Sequence, residues 1–174
     1  DSDYQAKHRY FVDGTPEVGD ICPTAPTTAC NRDTWRTIIV GGLNQGGKSY
    51  YALDITDPAS PTLLWEFSNA NLGYTYSNPR ITKLKDGTWV VIVASGYNNT
   101  DGVGRLFVLN AHTGGLISTI STAVGTAANP SGLAKLAARA PTSATNNIVH
   151  QVYGGDLLGN LWRFDVNGDV GATG

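Results

Sequence analysis

Three oxygen-bearing side chains stand at alternate positions near the C-terminal end of the chain: Asp165, Asn167 and Asp169. Positions 1, 3 and 5 of an EF-hand loop supply oxygen ligands at this spacing, so the run predicts a calcium site. Glycine falls at its fourth place rather than the sixth, and no glutamate serves as the twelfth. A polar turn after a strand explains the run equally well, and both interpretations stay open.

The two cysteines of the chain, Cys22 and Cys30, lie in a segment rich in Pro, Thr and Ala. A zinc site would be incomplete, because no third cysteine or nearby histidine accompanies them. An even, closely spaced pair favours a disulfide that closes a small loop and indicates an oxidising compartment. Two free thiols are the alternative.

One stretch matches the sequence pattern of a phosphate-binding loop. Residues 42–49 read Gly-x-x-x-x-Gly-Lys-Ser after an apolar run. That loop works only when a helix begins at Lys-Ser, because the helix amides and dipole bind the phosphate. Residues 50–58 instead favour a strand that ends in an Asp-Pro turn. We therefore interpret 42–49 as a hairpin loop.

Nucleophilic or acid–base catalysis has little support. His8, His112 and His150 fall at predicted strand starts or turns without a companion motif. No Ser-His-Asp order and no histidine-rich metal cluster can be named. We expect each histidine to be a surface or structurally satisfied residue.

Short strands joined by glycine-rich turns must position all of these residues. Three stretches share one plan: an apolar run, a polar turn and a second apolar run that closes with Asp54, Asn110 or Asp165. The closing residues are 56 and 55 positions apart, a spacing that indicates repeats. Propellers build each repeat as a four-stranded blade around an axis. The sequence predicts an all-β fold, a modified β-propeller or partial propeller arc of about three four-stranded units.

Composition agrees with turn-rich β structure. Glycine supplies 21 of 174 residues, and only 15% of residues are charged. The net charge of −2 and the scattered lysines and arginines argue against a nucleic-acid partner. No apolar run of 18 residues exists, so no membrane span is predicted.

The domain prediction is one unit over residues 1–174, with an extension at 1–7. Three repeats are fewer than a usual propeller holds, so we expect a fragment of a larger propeller. Either further blades lie outside this sequence, or the blades form an incomplete arc with exposed edge strands. Residues 8–12 read as a short strand. Residues 133–139 contain helix-forming residues where the repeat plan expects a strand, and propensity alone does not decide between the two.

Together these motifs resemble the C-terminal propeller domain of the PilC/PilY proteins of bacterial type IV pili. The matching stretches are residues 8–16, 35–42, 50–54, 64–67, 72–77, 96–98 and 155–165. The resemblance implies a non-enzymatic protein of the pilus tip or cell surface that is exported through the periplasm. It also implies roles in pilus biogenesis, retraction control and adhesion, with pilins or minor pilins and a host or surface receptor as partners.

Many members of that family carry an acidic calcium loop just before their Tyr-x-Gly-Asp-Leu-x-Gly-Asn motif. The corresponding stretch here, residues 138–148, contains no Asp or Glu. Calcium affinity follows ligand charge, so this stretch should bind the ion weakly. We expect no cofactor, and calcium only if other ligands replace the acidic loop.

Two other functions stay open. Quinone-dependent dehydrogenases are also propellers with similar hairpins, which makes an enzyme the first alternative. A carbohydrate-binding propeller is the second. It depends on Tyr74, Tyr76 and Tyr97 being exposed, whereas these rings would otherwise pack between blades.

Overall fold

The computed structural model describes residues 7–141 and 146–168, and these residues form three antiparallel sheets. Each sheet keeps its strands in chain order, and we call the sheets blades 1, 2 and 3. Blade 1 contains β1 (Glu17–Ile21), β2 (Arg36–Gly42), β3 (Ser49–Asp54) and β4 (Thr62–Ser68). Blade 2 contains β5 (Arg80–Lys83), β6 (Trp89–Ala94), β7 (Arg105–Asn110) and β8 (Leu116–Ser121). Blade 3 contains β9 (Leu136–Arg139), β10 (Gln151–Gly155) and β11 (Leu161–Phe164).

The all-β prediction and the three predicted hairpins are confirmed. The hairpins are β2–β3, β6–β7 and β10–β11. Two details differ. Blade 3 has three strands, not four, within the described residues. The undecided segment 133–139 supplies β9, because its residues pair with β10 from Leu136 to Arg139.

The predicted strand at residues 8–12 is wrong. This segment is irregular, and Tyr10, Phe11 and Val12 are exposed. It lies over the β2–β3 loop, since a Cβ atom at Gly46 would stand 1.8 Å from the Phe11 carbonyl oxygen. The segment does not form a strand because its backbone lies against a loop and not against the edge of another strand. Residues 1–6 of the predicted extension lie outside the described residues.

The first strands of the blades, β1, β5 and β9, lie beside one another, as strands around a propeller axis do. Arg80 of β5 joins all three. Its Nε and Nη2 donate to the Leu136 carbonyl oxygen of β9 at 3.2 and 3.0 Å. Its Nη1 reaches Glu17 of β1 at 3.5 Å. One guanidinium thus links the inner edges of three blades.

Blade 2 packs apolar side chains on both of its faces. In β6, Val91 and Val93 join the core shared with blade 1, whereas Val90 and Ile92 join the core shared with blade 3. Successive side chains of a strand point to opposite faces, so a strand covered on both sides is apolar throughout. This packing explains the uninterrupted apolar run of residues 90–94.

The outermost strands of blades 1 and 2 are partly exposed. Leu63 of β4 is 62% exposed and Leu116 of β8 is 46% exposed. The register shifts at the equivalent position in both outer pairs: between Ala52 and Leu53 in β3–β4, and between Val108 and Leu109 in β7–β8. Bulges of this kind twist an edge away from regular pairing and are used to protect edges.

Antiparallel order places the loops at two ends of the blades. One end, which we call the tyrosine end, carries the β2–β3, β6–β7 and β10–β11 loops and the connection at residues 69–79 between blades 1 and 2. The opposite end, the disulfide end, carries the β1–β2 loop and the β5–β6 turn. Isolated bridges between Asn44 and Thr75 and between Tyr74 and Tyr97 join the loops of the tyrosine end.

Candidate functional site

The three closing residues of the repeat have one structural role in common. Thr56 N donates to Asp54 Oδ1 at 2.8 Å, and His112 N donates to Asn110 Oδ1 at 3.0 Å. Asn167 N donates to Asp165 Oδ1 at 3.0 Å. Asp and Asn side chains commonly close such turns on their own backbone. The 56- and 55-residue spacing therefore repeats a turn rather than a catalytic group.

The predicted metal residues Asp165 and Asn167 take part in this turn, and Asp169 lies outside the described residues. Asn167 also links two other segments: Lys85 N donates to its Oδ1 at 2.9 Å, and its Nδ2 donates to the Val149 carbonyl oxygen. In residues 7–141 and 146–168, no three His, Cys, Asp or Glu side chains lie close enough to hold a metal ion. The metal site stays a prediction.

The stretch that corresponds to the family calcium loop, residues 138–148, begins in the last two residues of β9. Its residues 142–145 lie outside the described part. Its last residues run parallel to β5. Lys83 N donates to the Asn147 carbonyl oxygen at 3.1 Å, and Val149 N donates to the Lys83 carbonyl oxygen at 2.9 Å. Thr82 Oγ1 also donates to Asn147 O at 2.9 Å. The backbone of this stretch therefore fastens blade 3 to the inner strand of blade 2.

The predicted disulfide is present: Cys22 and Cys30 are bonded, with their Cα atoms 5.6 Å apart. The closed loop lies against the β5–β6 turn, where a Cβ atom at Gly87 would stand 3.3 Å from Pro26. Next to the loop, the Trp35 and Trp89 rings meet edge to face at 5.7 Å. The disulfide loop thus holds blade 1 against blade 2.

The histidines lie on three separate elements. His8 packs against the Tyr10 ring in the N-terminal segment, and His150 N pairs with the Arg139 carbonyl oxygen before β10. His112 lies after β7 near Cys22, and its Nδ1 is buried without a hydrogen-bond partner. In the part of the chain that the structure describes, they do not join a cluster of three or more His, Cys, Asp or Glu side chains. Residues 42–49 form the β2–β3 loop, as predicted, and β3 follows at Ser49 where a phosphate loop would need a helix.

Sequence reasoning missed Asp156, the side chain that organises the β10–β11 turn. Its Oδ1 accepts the amides of Leu158 and Asn160 at 3.0 and 2.8 Å. Its Oδ2 accepts Trp162 Nε1 at 2.8 Å and Ser131 Oγ at 3.2 Å. Burial alone would raise the pKa of this carboxyl, but the hydrogen bonds led by Asn160 and Trp162 outweigh burial and lower it. The sequence pattern Asp-x-x-Gly-Asn at residues 156–160 could have predicted this role, because Asp before a tight glycine turn commonly accepts hydrogen bonds from its own backbone.

A second carboxylate of the tyrosine end is also held by protein partners. Arg105 donates Nη1 to Asp101 Oδ1 at 2.7 Å and Nη2 to Asp101 Oδ2 at 2.6 Å. These bonds lower the pKa of Asp101 to about 2. The Arg105 guanidinium therefore neutralises the one carboxylate of the loop at residues 95–104.

The three tyrosines named from the sequence come together at the tyrosine end. Tyr74 and Tyr97 exchange backbone hydrogen bonds of 2.6 and 3.2 Å. The Tyr76 and Tyr97 rings lie 5.3 Å apart between centroids. All three side chains are half-buried. They form one cluster at the junction of blades 1 and 2, which we call the tyrosine cluster.

Two lysines flank the tyrosine cluster. Lys48 Nζ lies 5.4 Å from the centre of the Tyr74 ring and donates to the Asn98 carbonyl oxygen at 2.6 Å. Lys135 Nζ donates to Asn78 Oδ1, two residues after Tyr76. Both lysines are exposed. The cluster therefore combines aromatic surface with positive charge.

This fold and these motifs agree with one known domain. The family model of the PilY1 β-propeller domain matches residues 1–173. The chain belongs to the PilY1 β-propeller family. The propeller interpretation of the three blades is thereby confirmed, and so is the resemblance drawn from the sequence motifs.

Individual PilY1 relatives agree. The type IV pilus biogenesis factor PilY1 of Pseudomonas aeruginosa strain PAO1 is 35% identical over 165 residues, which cover 91% of this chain and 13% of that protein. A PilY1 homolog of Xylella fastidiosa strain Temecula1 is 39% identical over 166 residues, which cover 94% of this chain and 13% of that protein. The chain thus spans about an eighth of the length of these relatives.

A solved structure of the PilY1 family shares the fold. The crystal structure of the Pseudomonas aeruginosa PilY1 C-terminal domain superposes with a TM-score of 0.72 at 31% identity. The superposition covers 95% of this chain and 33% of that domain. The three blades therefore correspond to about a third of the PilY1 C-terminal domain chain.

Proposed function

We propose that this chain is part of a non-enzymatic biogenesis and adhesion factor of a type IV pilus. The proposal places it at the pilus tip or outer cell surface after export through the periplasm. Pilins or minor pilins would be its assembly partners, and a host or surface receptor its adhesion partner. The observation that carries the proposal is the PilY1 family match over residues 1–173, with relatives named as type IV pilus biogenesis factors.

One feature of the chain supports an exported factor. The Cys22–Cys30 disulfide suits an oxidising compartment such as the periplasm or the cell surface. Among the residues that the structure describes, no helix is long and apolar enough to cross a bilayer.

The shifted pKa values of the described residues have structural explanations. Active sites usually gather side chains whose pKa values are shifted to suit a reaction. Here the shifted carboxyls of Asp54, Asp101 and Asp156 close turns or pair with arginine. Burial raises the pKa of Tyr50, which lies inside the core of blades 1 and 2. None of these shifts therefore requires a catalytic role to explain it.

Complementation tests the proposal. A strain that lacks the full-length protein should lose surface pili and adhesion, and the wild-type gene should restore both. A gene without residues 8–168 should restore neither, whereas the exposed substitution Glu66→Gln should restore both. Normal piliation and adhesion without residues 8–168 would contradict the proposal. Reduction of an artificial electron acceptor by the purified protein with a quinone cofactor and an alcohol would favour the dehydrogenase alternative instead.

A further inference from the structure

Buried and half-buried side chains alternate along the connection between blades 1 and 2. Thr75, Ser77 and Pro79 are buried, whereas the alternate residues Tyr74, Tyr76 and Asn78 are half-buried. Thr75 anchors the connection because Leu43 N donates to its Oγ1 at 2.7 Å. The aromatic side chains are therefore held in place by a fixed backbone.

The three tyrosine hydroxyls are available to a ligand. Within the described residues, the hydroxyl groups of Tyr74, Tyr76 and Tyr97 have no hydrogen-bond partner, and none is buried. A half-buried tyrosine offers an apolar ring and a polar tip, which suits ligands that are amphipathic themselves. Sugar rings have this character, with C–H groups on one face and hydroxyls at the rim.

The charge around the cluster selects one kind of sugar. Residues 43–48, 69–79 and 131–135 contain no Asp or Glu, and the first and last of these segments carry Lys48 and Lys135. In the neighbouring loops, Asp101 is paired with Arg105, and the Asp156 carboxylate accepts hydrogen bonds from Ser131, Trp162 and backbone amides. Each lysine ammonium has three donors, and the bonds from Lys48 to Asn98 and from Lys135 to Asn78 use one apiece. The remaining donors suit carboxylates, although the chain as a whole has a net charge of −2.

We propose that the tyrosine cluster, with Lys48 and Lys135, binds an acidic oligosaccharide of the uronic-acid type. The rings of Tyr74, Tyr76 and Tyr97 contact the sugar faces, and the two ammonium groups pair with the carboxylates. This inference rests on the adhesive part of the proposed function, and it gives that adhesion a ligand class.

Titration calorimetry on the full-length protein tests the site with three probes of similar length. These are trigalacturonic acid, its methyl ester, which lacks the charge, and triglutamate, which lacks the sugar. We expect trigalacturonic acid to bind at least 10-fold more tightly than either control. No binding of trigalacturonic acid would overturn the inference. Equal affinity for the ester would overturn the role of the lysines, and equal affinity for triglutamate would overturn the sugar site.

Substitutions locate the site. Tyr76→Ala should weaken trigalacturonic acid binding at least 10-fold, and Lys48→Gln with Lys135→Gln should reduce it to the level of the ester. Tyr10→Ala and Arg163→Gln remove an exposed tyrosine and an exposed arginine outside the cluster, and both should leave binding unchanged. If the control variants weaken binding as much as the cluster variants, the site lies elsewhere and the inference is wrong. Lys48 and Lys135 are exposed, so the double lysine variant should fold. It tests the site even if Tyr76→Ala unfolds.

Pilus counts separate this inference from the proposed function. The lysine and tyrosine variants should assemble normal numbers of pili while losing adhesion to a surface coated with polygalacturonate. Normal pili with unchanged adhesion to that surface would overturn the sugar site alone. Normal pili in the strain that lacks the whole protein would overturn the proposed function.

Discussion

Trp162 donates its indole Nε1 to Asp156 Oδ2 across the β10–β11 turn, at 2.8 Å. The same carboxylate accepts the amides of Leu158 and Asn160 on its other oxygen. One side chain thus holds the turn from inside and ties it to β11. Ser131 adds a bond of 3.2 Å from the segment before β9, so Asp156 also links the hairpin to that segment.

Removal of this carboxylate should destabilise blade 3. Hydrogen bonds to a charged group contribute about 1.5 kcal/mol or more when buried, and partial exposure reduces this value. We expect Asp156→Ala to lower the free energy of unfolding by about 1.5 kcal/mol. Urea melts measure the change, with Glu66→Gln on β4 as the control. An unchanged midpoint for Asp156→Ala would show that the turn does not depend on this side chain.

Asp101 should make the domain sensitive to acid. Hydrogen bonds from Arg105 lower its pKa to about 2, from 3.8. A lowered folded-state pKa stabilises the protein above the unfolded value, and this contribution is lost as the pH falls from about 4 towards 2. NMR titration of the Asp101 carboxyl should therefore give a midpoint near 2.

The variant Asp101→Asn checks the sign of this effect. It should be less stable than the wild type at pH 6, and its stability should fall less between pH 4 and pH 2. Urea melts at these pH values measure both differences. A steeper loss of stability in the variant than in the wild type would contradict the assignment.

The disulfide should contribute stability by limiting the unfolded chain. For the short loop between Cys22 and Cys30, chain entropy predicts about 2–3 kcal/mol. We expect Cys22→Ser with Cys30→Ser to lower the free energy of unfolding by this amount. Equal stability of the double variant and the wild type, with the bond verified by mass spectrometry of the unreduced wild type, would refute the prediction.

Calcium should leave the melting temperature unchanged. Asp165 closes a turn and Asn167 links Lys85 to Val149, which explains both residues without a metal ion. A ligand at about 100 times its dissociation constant would add about 2.7 kcal/mol, or several degrees. Thermal melts in EGTA and in millimolar calcium decide the matter. A clear rise would support the predicted site at Asp165, Asn167 and Asp169, and an Asn167→Ala melt would then locate it.

Local patterns in the sequence predicted most of the fold. The spacing of Asp54, Asn110 and Asp165 predicted the repeat, because each residue closes the same turn at the end of the same strand. Apolar runs on either side of polar turns predicted the β2–β3, β6–β7 and β10–β11 hairpins. The error at residues 8–12 arose because strand propensity says nothing about whether a partner strand is present.

The functional contacts were harder to predict because they join distant parts of the chain. Arg80 meets Leu136, 56 positions later, and Lys48 meets Asn98, 50 positions later. No local pattern specifies such pairs. The tyrosines could be named from their type, but their assembly depends on the bridge between Tyr74 and Tyr97. Asp156 was missed because its partners are set by the shape of the turn.

The central claim, that this chain belongs to a surface factor of a type IV pilus, is tested most directly by labelling intact cells. An epitope can be inserted in the exposed β3–β4 turn at residues 57–60 of the full-length protein. Immunogold electron microscopy should then place gold at pilus ends or on the outer surface of intact cells. Gold that appears only after the cells are permeabilised would contradict the account.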